Sequence, residues 1–188
     1  MEDEDNNPLL QHMMDEISSH IMDIAINAIT AKAKHIEISI TADPKKALLT
    51  LYFKDDGVGM DSSMIARVQD PFFSTKTGKK VGLGIPLLKG TAETTGGTFS
   101  LTSEVGHGVE IRASFRLNHP DLPPIGKLKD TILVLVAGNP DIDFLFKYIV
   151  NEKEFLFDTS AMRAILGEVP LNDPEVVNFF IKYLDEYL

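Results

Sequence analysis

The period of the hydrophobic positions changes along the chain, and its first part predicts one helix and two strands. Residues 8–34 carry apolar side chains at helical spacing, with Pro8 suited to a helix start. Two β-rich runs follow, "HIEISI" at 35–40 and "ALLTLYFK" at 47–54, in which apolar and polar residues alternate. The turn-like stretch "TADPKK" separates them. This pattern predicts a helix followed by two paired strands.

The middle of the chain predicts two more helices and two more strands. A short helix is predicted in "DSSMIARVQ", with Asp61 as its cap, and another in "IPLLKGTAETT", which Gly96 and Gly97 end. The run "DPFFSTKTGKKVGLG" between them has no consistent period and predicts a loop. The stretch "GTFSLTSEVGHGVEIRASFRL" predicts two strands around a glycine-containing turn.

A proline-rich stretch, "NHPDLPPIG", is the clearest boundary in the chain. It predicts an acidic tail at 1–8, a domain at 9–118, a linker at 119–126 and a C-terminal extension at 127–188.

The extension predicts a hairpin and helices. The run "DTILVLVAGNPD" predicts a helix capped by Asp130, with a strand as the alternative, and "FLFKYIVNEKEFLFD" predicts a hairpin. Two closing helices follow, the second capped by Asp173. Alternating phenylalanines indicate packing on the core or a dimer interface, and we prefer the core: Phe144, Phe146, Phe155 and Phe157.

Composition narrows the class of protein. The chain has 188 residues and a formal net charge of −10, so it can bury a sizeable core, and its acidic surface disfavours nucleic acid and anionic membranes. The absence of cysteine excludes disulfides, thiolate metal sites and a cysteine nucleophile. The longest apolar run, "ILVLVA", is too short to cross a bilayer, and the acidic start is unlike a signal peptide. We therefore expect a cytoplasmic protein.

The first predicted helix is apolar over most of its circumference, with one polar stripe formed by His20, Asp23, Asn27 and Thr30. Such a helix is expected to be buried, so the stripe meets water, protein partners or a ligand. Asp23 and Asn27 share one face. A carboxylate there can deprotonate a water or hydroxyl, and a carboxamide oxygen one turn later suits Mg²⁺. A solvent-facing edge is the structural alternative.

Two glycine-rich stretches offer complementary binding chemistry. In "DDGVGM", Gly57 and Gly59 let the backbone approach a flat ligand closely, and Asp55 offers an acceptor suited to the amino group of adenine. The alternative is a plain turn that ends a strand. The second stretch is a lysine-rich loop ending at Gly82 and Gly84 before a helix, where free amides bind phosphate. It lacks the third glycine of a dinucleotide-binding fingerprint, and a solvated loop is the alternative.

These features, in this order, resemble the GHKL ATP-binding family, which includes DNA gyrase, MutL, a class of heat-shock chaperone and the histidine kinases. The run "HIMDIAINAITAKA" resembles its N-box, "DDGVGM" its G1 box, and "PFFSTKTGKKVGLGIPL" its F box, lid and G2 box. The resemblance spans about residues 10–117 and is closest to the kinase branch. It implies an α/β fold of the Bergerat type, an α+β two-layer sandwich with helices on one face of a mixed sheet, followed by a small α/β extension.

The resemblance also implies roles for individual residues. Asn27 would coordinate Mg²⁺, Asp55 would hydrogen-bond the adenine amino group of ATP, and Gly57 and Gly59 would line the base pocket. Asp23 stands where ATP-hydrolysing members carry Glu, which makes it the candidate catalytic base with a shorter reach. The remaining cofactor-binding candidates lie in the lid and at the following helix start, where they would contact phosphate: Lys76, Gly82, Leu83 and Gly84. A further departure is Val109, where many members carry a Thr near the purine.

Three functions fit the resemblance. The first is a regulatory enzyme that binds Mg-ATP and hydrolyses it or phosphorylates a protein partner, as lone domains of the anti-sigma type phosphorylate a serine. The second is a nucleotide-gated binding module without turnover. The third is a scaffold with a degenerate pocket, which the intact motif residues disfavour. No run resembles a phosphorylated-histidine box, and His12 and His20 are predicted to be structural. Expected partners are ATP, an unidentified protein and a second copy of the chain, with no nucleic acid and no membrane.

Overall fold

The computed structural model describes residues 16–70, 83–151 and 153–188. In these residues the helices are α1 Ile17–Thr30, α2 Ser62–Val68, α3 Gly84–Thr94, α4 Leu128–Gly138, α5 Thr159–Leu166 and α6 Pro174–Asp185. The strands are β1 His35–Asp43, β2 Leu48–Asp55, β3 Phe99–Ser103, β4 Val109–Arg116, β5 Asp143–Val150 and β6 Lys153–Asp158.

The six strands form one mixed sheet in the order β3-β4-β2-β1-β5-β6. Strands β1 and β5 are parallel, and the other neighbouring pairs are antiparallel. At the centre of the sheet, Ile38 of β1 lies opposite Phe53 of β2 and Phe146 of β5. Residues that lie opposite each other project from the same face, so these three side chains meet in one layer.

One face of the sheet carries the hydrophobic core. Alternate residues are buried from Ile36 to Ile40 of β1 and from Leu49 to Asp55 of β2, because side chains alternate between the two faces of a strand. Helices α1, α3, α4 and α6 contribute buried side chains to the same core. The opposite face carries polar and partly exposed residues, among them Tyr52 and Arg112, whose guanidinium carbon lies 4.5 Å from the Tyr52 ring centroid. The predicted two-layer α+β architecture is confirmed.

The C-terminal extension continues this sheet and this core. The predicted hairpin is confirmed as β5 and β6, and β5 lies beside β1. The four phenylalanines of the hairpin are buried, which confirms the core interpretation, and Phe157 meets Phe180 of α6 edge-on with ring centroids 5.2 Å apart. The linker also contacts the domain, since the N–H groups of Ile17 and Ser18 donate to carbonyls within 119–126. The division of the chain into segments stays a prediction.

Several helix ends differ from the sequence-based expectation. Helix α1 ends at Thr30, earlier than predicted, because Lys32 adopts a left-handed conformation with φ of 65°. The predicted start of this helix at residues 8–15 lies outside the described residues. Ile26, assigned to the apolar part of the helix, is 43% exposed.

The extension begins with the predicted helix, but one of the predicted helix caps differs. The helix predicted for "DTILVLVAGNPD" is confirmed by α4, but the cap at Asp130 is wrong, because Lys127 is the N-cap and Asp130 lies in the first turn. The caps at Asp61 and Asp173 are confirmed, since each carboxylate accepts a backbone N–H of the first helical turn. Among the described helices, none combines the length and hydrophobicity needed to span a bilayer.

Candidate functional site

Asp55 is a buried acceptor at the end of β2. Alternation along this strand puts it on the same face as Leu51 and Phe53, at the end of the core, and only 4% of it is exposed. Its Oδ1 accepts the backbone N–H of Gly57 at 2.8 Å. Burial raises the pKa of the Asp55 carboxyl, and Asp56 adds to the rise, while the N–H groups of Gly57 and Val109 oppose it. Such a carboxylate gains from a further hydrogen-bond donor.

The glycines after Asp55 are required by close packing on two sides. A Cβ on Gly57 would lie 2.9 Å from the carbonyl oxygen of Ala31 at the end of α1. Gly59 has φ of 65°, and a Cβ there would overlap the carbonyl oxygen of Glu104. Gly108, with φ of 74°, packs in the same way against the carbonyl of Asp55. The loop is therefore held between α1 and the β3–β4 turn with no room for side chains at these positions.

Helix α1 is connected to this loop through Ala31. The N–H of Ala31 donates to the carbonyl of Asn27, and its own carbonyl accepts the N–H of Val58 at 2.9 Å. Two consecutive backbone hydrogen bonds thus join the residue predicted to bind Mg²⁺ to the loop that carries Asp55. The Asn27 side chain is exposed, and Asp23, one turn earlier, is half-buried.

The start of α3 packs directly against Asp23. A Cβ on Gly84 would lie 2.7 Å from the Cβ of Asp23 and 3.2 Å from its Oδ2. Leu83 is the N-cap, and its side chain makes no capping hydrogen bond. The first N–H groups of a helix have no acceptor within the helix and carry a partial positive charge. The Asp23 carboxylate therefore lies next to a helix terminus that favours anions.

His20 lies deeper in the interface between the same two helices. It is 1% exposed, and its Nε2 lies 3.4 Å from the hydroxyl of Thr91 on α3. Its Nδ1 is buried and has no hydrogen-bond partner in the described residues. Burial lowers the pKa of His20 to about 4, so the ring is neutral at pH 7. The interpretation of His20 as structural agrees with its burial in this interface.

The structure brings five predicted positions into one region: Asp23, Asn27, Asp55, Gly57 and Gly84. Gly59 packs on the far side of the same loop, and Leu83 begins the helix that contacts Asp23. Lys76 and Gly82 lie outside the described residues, as does most of the predicted lid.

Sequence reasoning missed two residues that shape the loop, Ser103 and Gly108. The Ser103 hydroxyl accepts the N–H of Met60 at 2.8 Å and donates to the carbonyl of Gly108. The "GHG" turn signalled a hairpin but gave no sign that the hairpin packs on the Asp55 loop. The N–H of Val109 also faces Asp55, so the position predicted to lack a threonine contact contributes through its backbone.

The arrangement joins three kinds of chemistry. A buried carboxylate at the end of the sheet can accept a hydrogen bond from an amino group. Side-chain oxygens on α1 can contact a cation or a water molecule. The N–H groups at the start of α3 can bind phosphate. No group of three or more His, Asp or Glu side chains within the described ranges is arranged to hold a metal ion.

Comparison with known proteins identifies the family. The family model "Histidine kinase-, DNA gyrase B-, and HSP90-like ATPase" matches residues 5–119. The chain belongs to this family, and its architecture is the Bergerat ATP-binding fold. It thus contains an ATP-binding module of the histidine-kinase-like type.

Individual relatives are sensor kinases of greater length. Sensor histidine kinase ZraS of Escherichia coli K12 is 30% identical over 104 residues, which are 55% of this chain and 22% of ZraS. Sensor histidine kinase YxdK of Bacillus subtilis strain 168 is 30% identical over 95 residues, which are 48% of this chain and 29% of YxdK. The chain therefore spans less than a third of the length of either kinase.

One solved structure, the N-terminal domain of a DNA repair protein, aligns with a TM-score of 0.50 at 15% identity. The alignment covers 75% of this chain and 51% of that one. At this identity the likeness concerns the fold alone.

Proposed function

We propose that this protein is a regulatory Mg-ATP-binding protein that hydrolyses ATP or transfers its terminal phosphoryl group to a protein partner. The observation that carries the proposal is the buried carboxylate of Asp55, which ends a core strand and is held against α1 by glycine packing. Membership of an ATPase family agrees with this proposal.

Asp55 is the proposed contact of adenine. Its Oδ1 accepts the N–H of Gly57, and Oδ2 is the proposed acceptor of a hydrogen bond from the exocyclic amino group of the base. The carboxyl is desolvated by burial, so a hydrogen bond to it is stronger than the same bond in water. Gly57 and Gly59 are proposed to line the base pocket with their backbone, since a Cβ on either would meet the protein itself, at Ala31 and at Glu104.

The phosphates are proposed to lie near the start of α3. The N–H groups around Leu83 and Gly84 are the donors for this end of the nucleotide, together with Lys76 and Gly82 as family-based candidates. Asn27 is the proposed Mg²⁺ ligand, because its exposed carboxamide lies on the same helix face as Asp23 and oxygen is the donor that Mg²⁺ prefers. Bound Mg²⁺ neutralises phosphate charge and fixes the geometry of the terminal phosphates.

Asp23 is the proposed catalytic base. Its carboxylate would accept the proton of a water or protein hydroxyl as that oxygen attacks the γ-phosphorus and the bond to the β-phosphate oxygen breaks. ADP leaves with the bridging oxygen. The contact between Asp23 and Gly84 holds the base beside the helix start that would bind the phosphates.

A nucleotide-gated binding module is the second candidate function. The side chain of Asp23 is one methylene shorter than the Glu that ATP-hydrolysing members carry, which favours binding over turnover. In that case ATP would change the affinity for a protein partner and would be released unchanged.

The test is a calorimetric titration with ATP in the presence and absence of Mg²⁺, followed by measurement of ADP. We expect saturable binding, and we expect Asp23→Asn to bind ATP normally but to form no ADP. Unchanged ADP formation in Asp23→Asn would show that Asp23 is not the catalytic base. Stoichiometric ATP retained without ADP, even with a partner present, supports the gated module, and absence of binding would overturn both candidates.

The metal site has a matched control on the same helix. Asn27→Ala should reduce the gain in ATP affinity that Mg²⁺ provides. Thr30→Ala should leave that gain unchanged, because the Thr30 hydroxyl donates its hydrogen bond to the carbonyl of Ile26. Equal Mg²⁺ dependence in the two variants would contradict the role of Asn27.

A further inference from the structure

Asp56, the residue after the proposed adenine contact, ties the Asp55 loop to the turn between α1 and β1. Its Oδ1 accepts the backbone N–H groups of Lys34 at 2.6 Å and His35 at 2.9 Å. Its Oδ2 lies 2.7 Å from Nδ1 of the His35 ring. Desolvation alone would raise the pKa of Asp56, but the hydrogen bonds from His35 and Lys34 outweigh it and hold that pKa below its usual value.

The His35 ring also reaches the C-terminal extension. Its Nε2 lies 3.5 Å from Oδ2 of Asp143, the first residue of β5. The backbone follows the same route, since the N–H of Asp143 donates to the carbonyl of Lys34 at 2.8 Å. One imidazole therefore lies between a carboxylate of the Asp55 loop and a carboxylate of the extension.

Helix α5 fixes the position of Asp143. The Arg163 guanidinium donates to Oδ1 of Asp143 from Nη2 at 3.1 Å and from Nε at 3.3 Å. The same guanidinium donates from Nη1 to the carbonyl of Pro140 at 2.7 Å. Thr159, the first residue of α5, accepts the N–H of Phe144 at 2.7 Å. The start of β5 is thus held to α5 by several hydrogen bonds.

We propose that His35 is a positioning residue for adenine recognition, through which the C-terminal extension sets the placement of the Asp55 loop. The inference rests on the proposed function, because it assigns adenine to Asp55. Asp55 and Asp56 are adjacent in the chain, so a movement of Asp56 rotates the peptide that carries the adenine acceptor. A hydrogen bond to a planar base tolerates little displacement of its acceptor, so loss of the His35 contacts weakens recognition of the base.

The chain of contacts also gives the extension a means of regulation. A protein partner that moves α5 draws Arg163 and Asp143 away from His35, and this lowers the affinity for adenine nucleotides. The contacts are partly exposed, with 69% of the His35 side chain and 46% of the Asp56 side chain accessible, so each has a modest effect and is accessible to a partner.

The test compares ATP with inosine triphosphate, which carries an oxo group in place of the adenine amino group. Binding is measured by calorimetry for the wild-type chain, His35→Ala and Asp143→Asn. We expect His35→Ala to weaken ATP binding about three- to tenfold and to leave binding of inosine triphosphate nearly unchanged, so the ratio of the two affinities falls. If His35 were only structural, His35→Ala would change stability but would leave the ratio of the ATP and inosine triphosphate affinities unchanged.

A matched control is Lys147→Met. Lys147 of β5 pairs with Glu37 of β1 at 2.9 Å, so it also joins the extension to the domain but does not contact Asp56. This variant should keep the wild-type ratio. Asp143→Asn presents an amide to His35 and should lower the ratio, and the double variant His35→Ala/Asp143→Asn should be no worse than His35→Ala, because both changes break one chain of contacts.

The outcomes separate the inference from the proposed function. If the wild-type chain does not bind ATP, the proposed function fails and the inference fails with it. If the wild-type chain binds ATP with clear preference over inosine triphosphate, but His35→Ala and Asp143→Asn keep the same preference, the positioning role is wrong and the proposed function stands. An equal fall in the ratio for Lys147→Met would also overturn the inference, since the effect would then follow from any loosening of β5.

Discussion

The buried histidine between α1 and α3 predicts a measurable loss of stability at low pH. His20 is 1% exposed, and burial lowers its pKa from the ordinary 6.5 to about 4. The unfolded chain therefore takes up a proton on this side chain at a higher pH than the folded protein does. The stabilising contribution is fully present above the unfolded pKa and is lost as the pH falls from 6.5 towards 4.

The magnitude follows from the two pKa values. Their difference corresponds to about 3 kcal/mol in the free energy of unfolding once the pH is below both values. Between pH 7 and pH 5, the part that is lost amounts to about 2 kcal/mol. The folded protein keeps the His20 ring neutral in this range, so the loss appears in the free energy of unfolding.

The assay is urea unfolding at about pH 7 and pH 5 for the wild-type chain, His20→Leu and His107→Ala. Leu fills the site without a titrating group, so His20→Leu should lose about 2 kcal/mol less than the wild type between the two pH values. His107 is exposed, with its Nδ1 3.3 Å from the carbonyl of Val105, and His107→Ala should lose as much as the wild type. If His20→Leu loses as much stability as the wild type, the buried neutral histidine does not account for the pH dependence.

Two further predictions concern packing. Gly84→Ala should weaken ATP binding by at least about tenfold in calorimetry, because the added Cβ would lie 2.7 Å from that of Asp23; ATP affinity equal to that of the wild type would contradict the close contact. Gly90→Ala in the same helix is the control, since an added Cβ there meets no atom of the described residues within 4 Å, and it should raise stability by about 1 kcal/mol. Phe157→Ala should lower the free energy of unfolding in urea by about 3–5 kcal/mol, because the ring is fully buried against Phe180. Phe179→Ala should lower it much less, because that side chain is exposed. Similar losses in the two variants would contradict the packing of the extension into the core of the domain.

Local features of the fold could be predicted from the sequence because their causes are local. Asp61 and Asp173 cap helices through bonds within one turn, and the period of two in β2 places Asp55 on the buried face. The exception is Asp130. An acidic residue is favourable in the first turn as well as at the cap, so its presence alone does not fix where α4 begins.

Contacts between distant segments could not be predicted. Nothing in the local pattern states that β5 pairs in parallel with β1, since this pairing joins segments more than a hundred residues apart. The contact of Gly108 with Asp55 depends on how a hairpin packs on a loop, and the approach of His35 to Asp143 depends on the added strand. The motifs located the candidate site, and tertiary packing determines how its parts are held.

The affinity of Asp55→Asn for ATP tests the proposed adenine contact. One oxygen of Asp55 accepts the N–H of Gly57, so the amide of Asn must turn its NH₂ group either towards that N–H or towards the adenine amino group. Either orientation leaves two donors facing each other, which costs about 2–3 kcal/mol, or roughly 30- to 150-fold in the dissociation constant.

The measurement is a calorimetric titration of the wild-type chain and Asp55→Asn with Mg-ATP, with thermal unfolding of both proteins as the control for folding. We expect saturable binding by the wild type, a loss of this size in the variant, and similar unfolding temperatures, because the buried charge at Asp55 does not favour the folded state. Wild-type affinity in a folded Asp55→Asn protein would show that this carboxylate does not bind adenine.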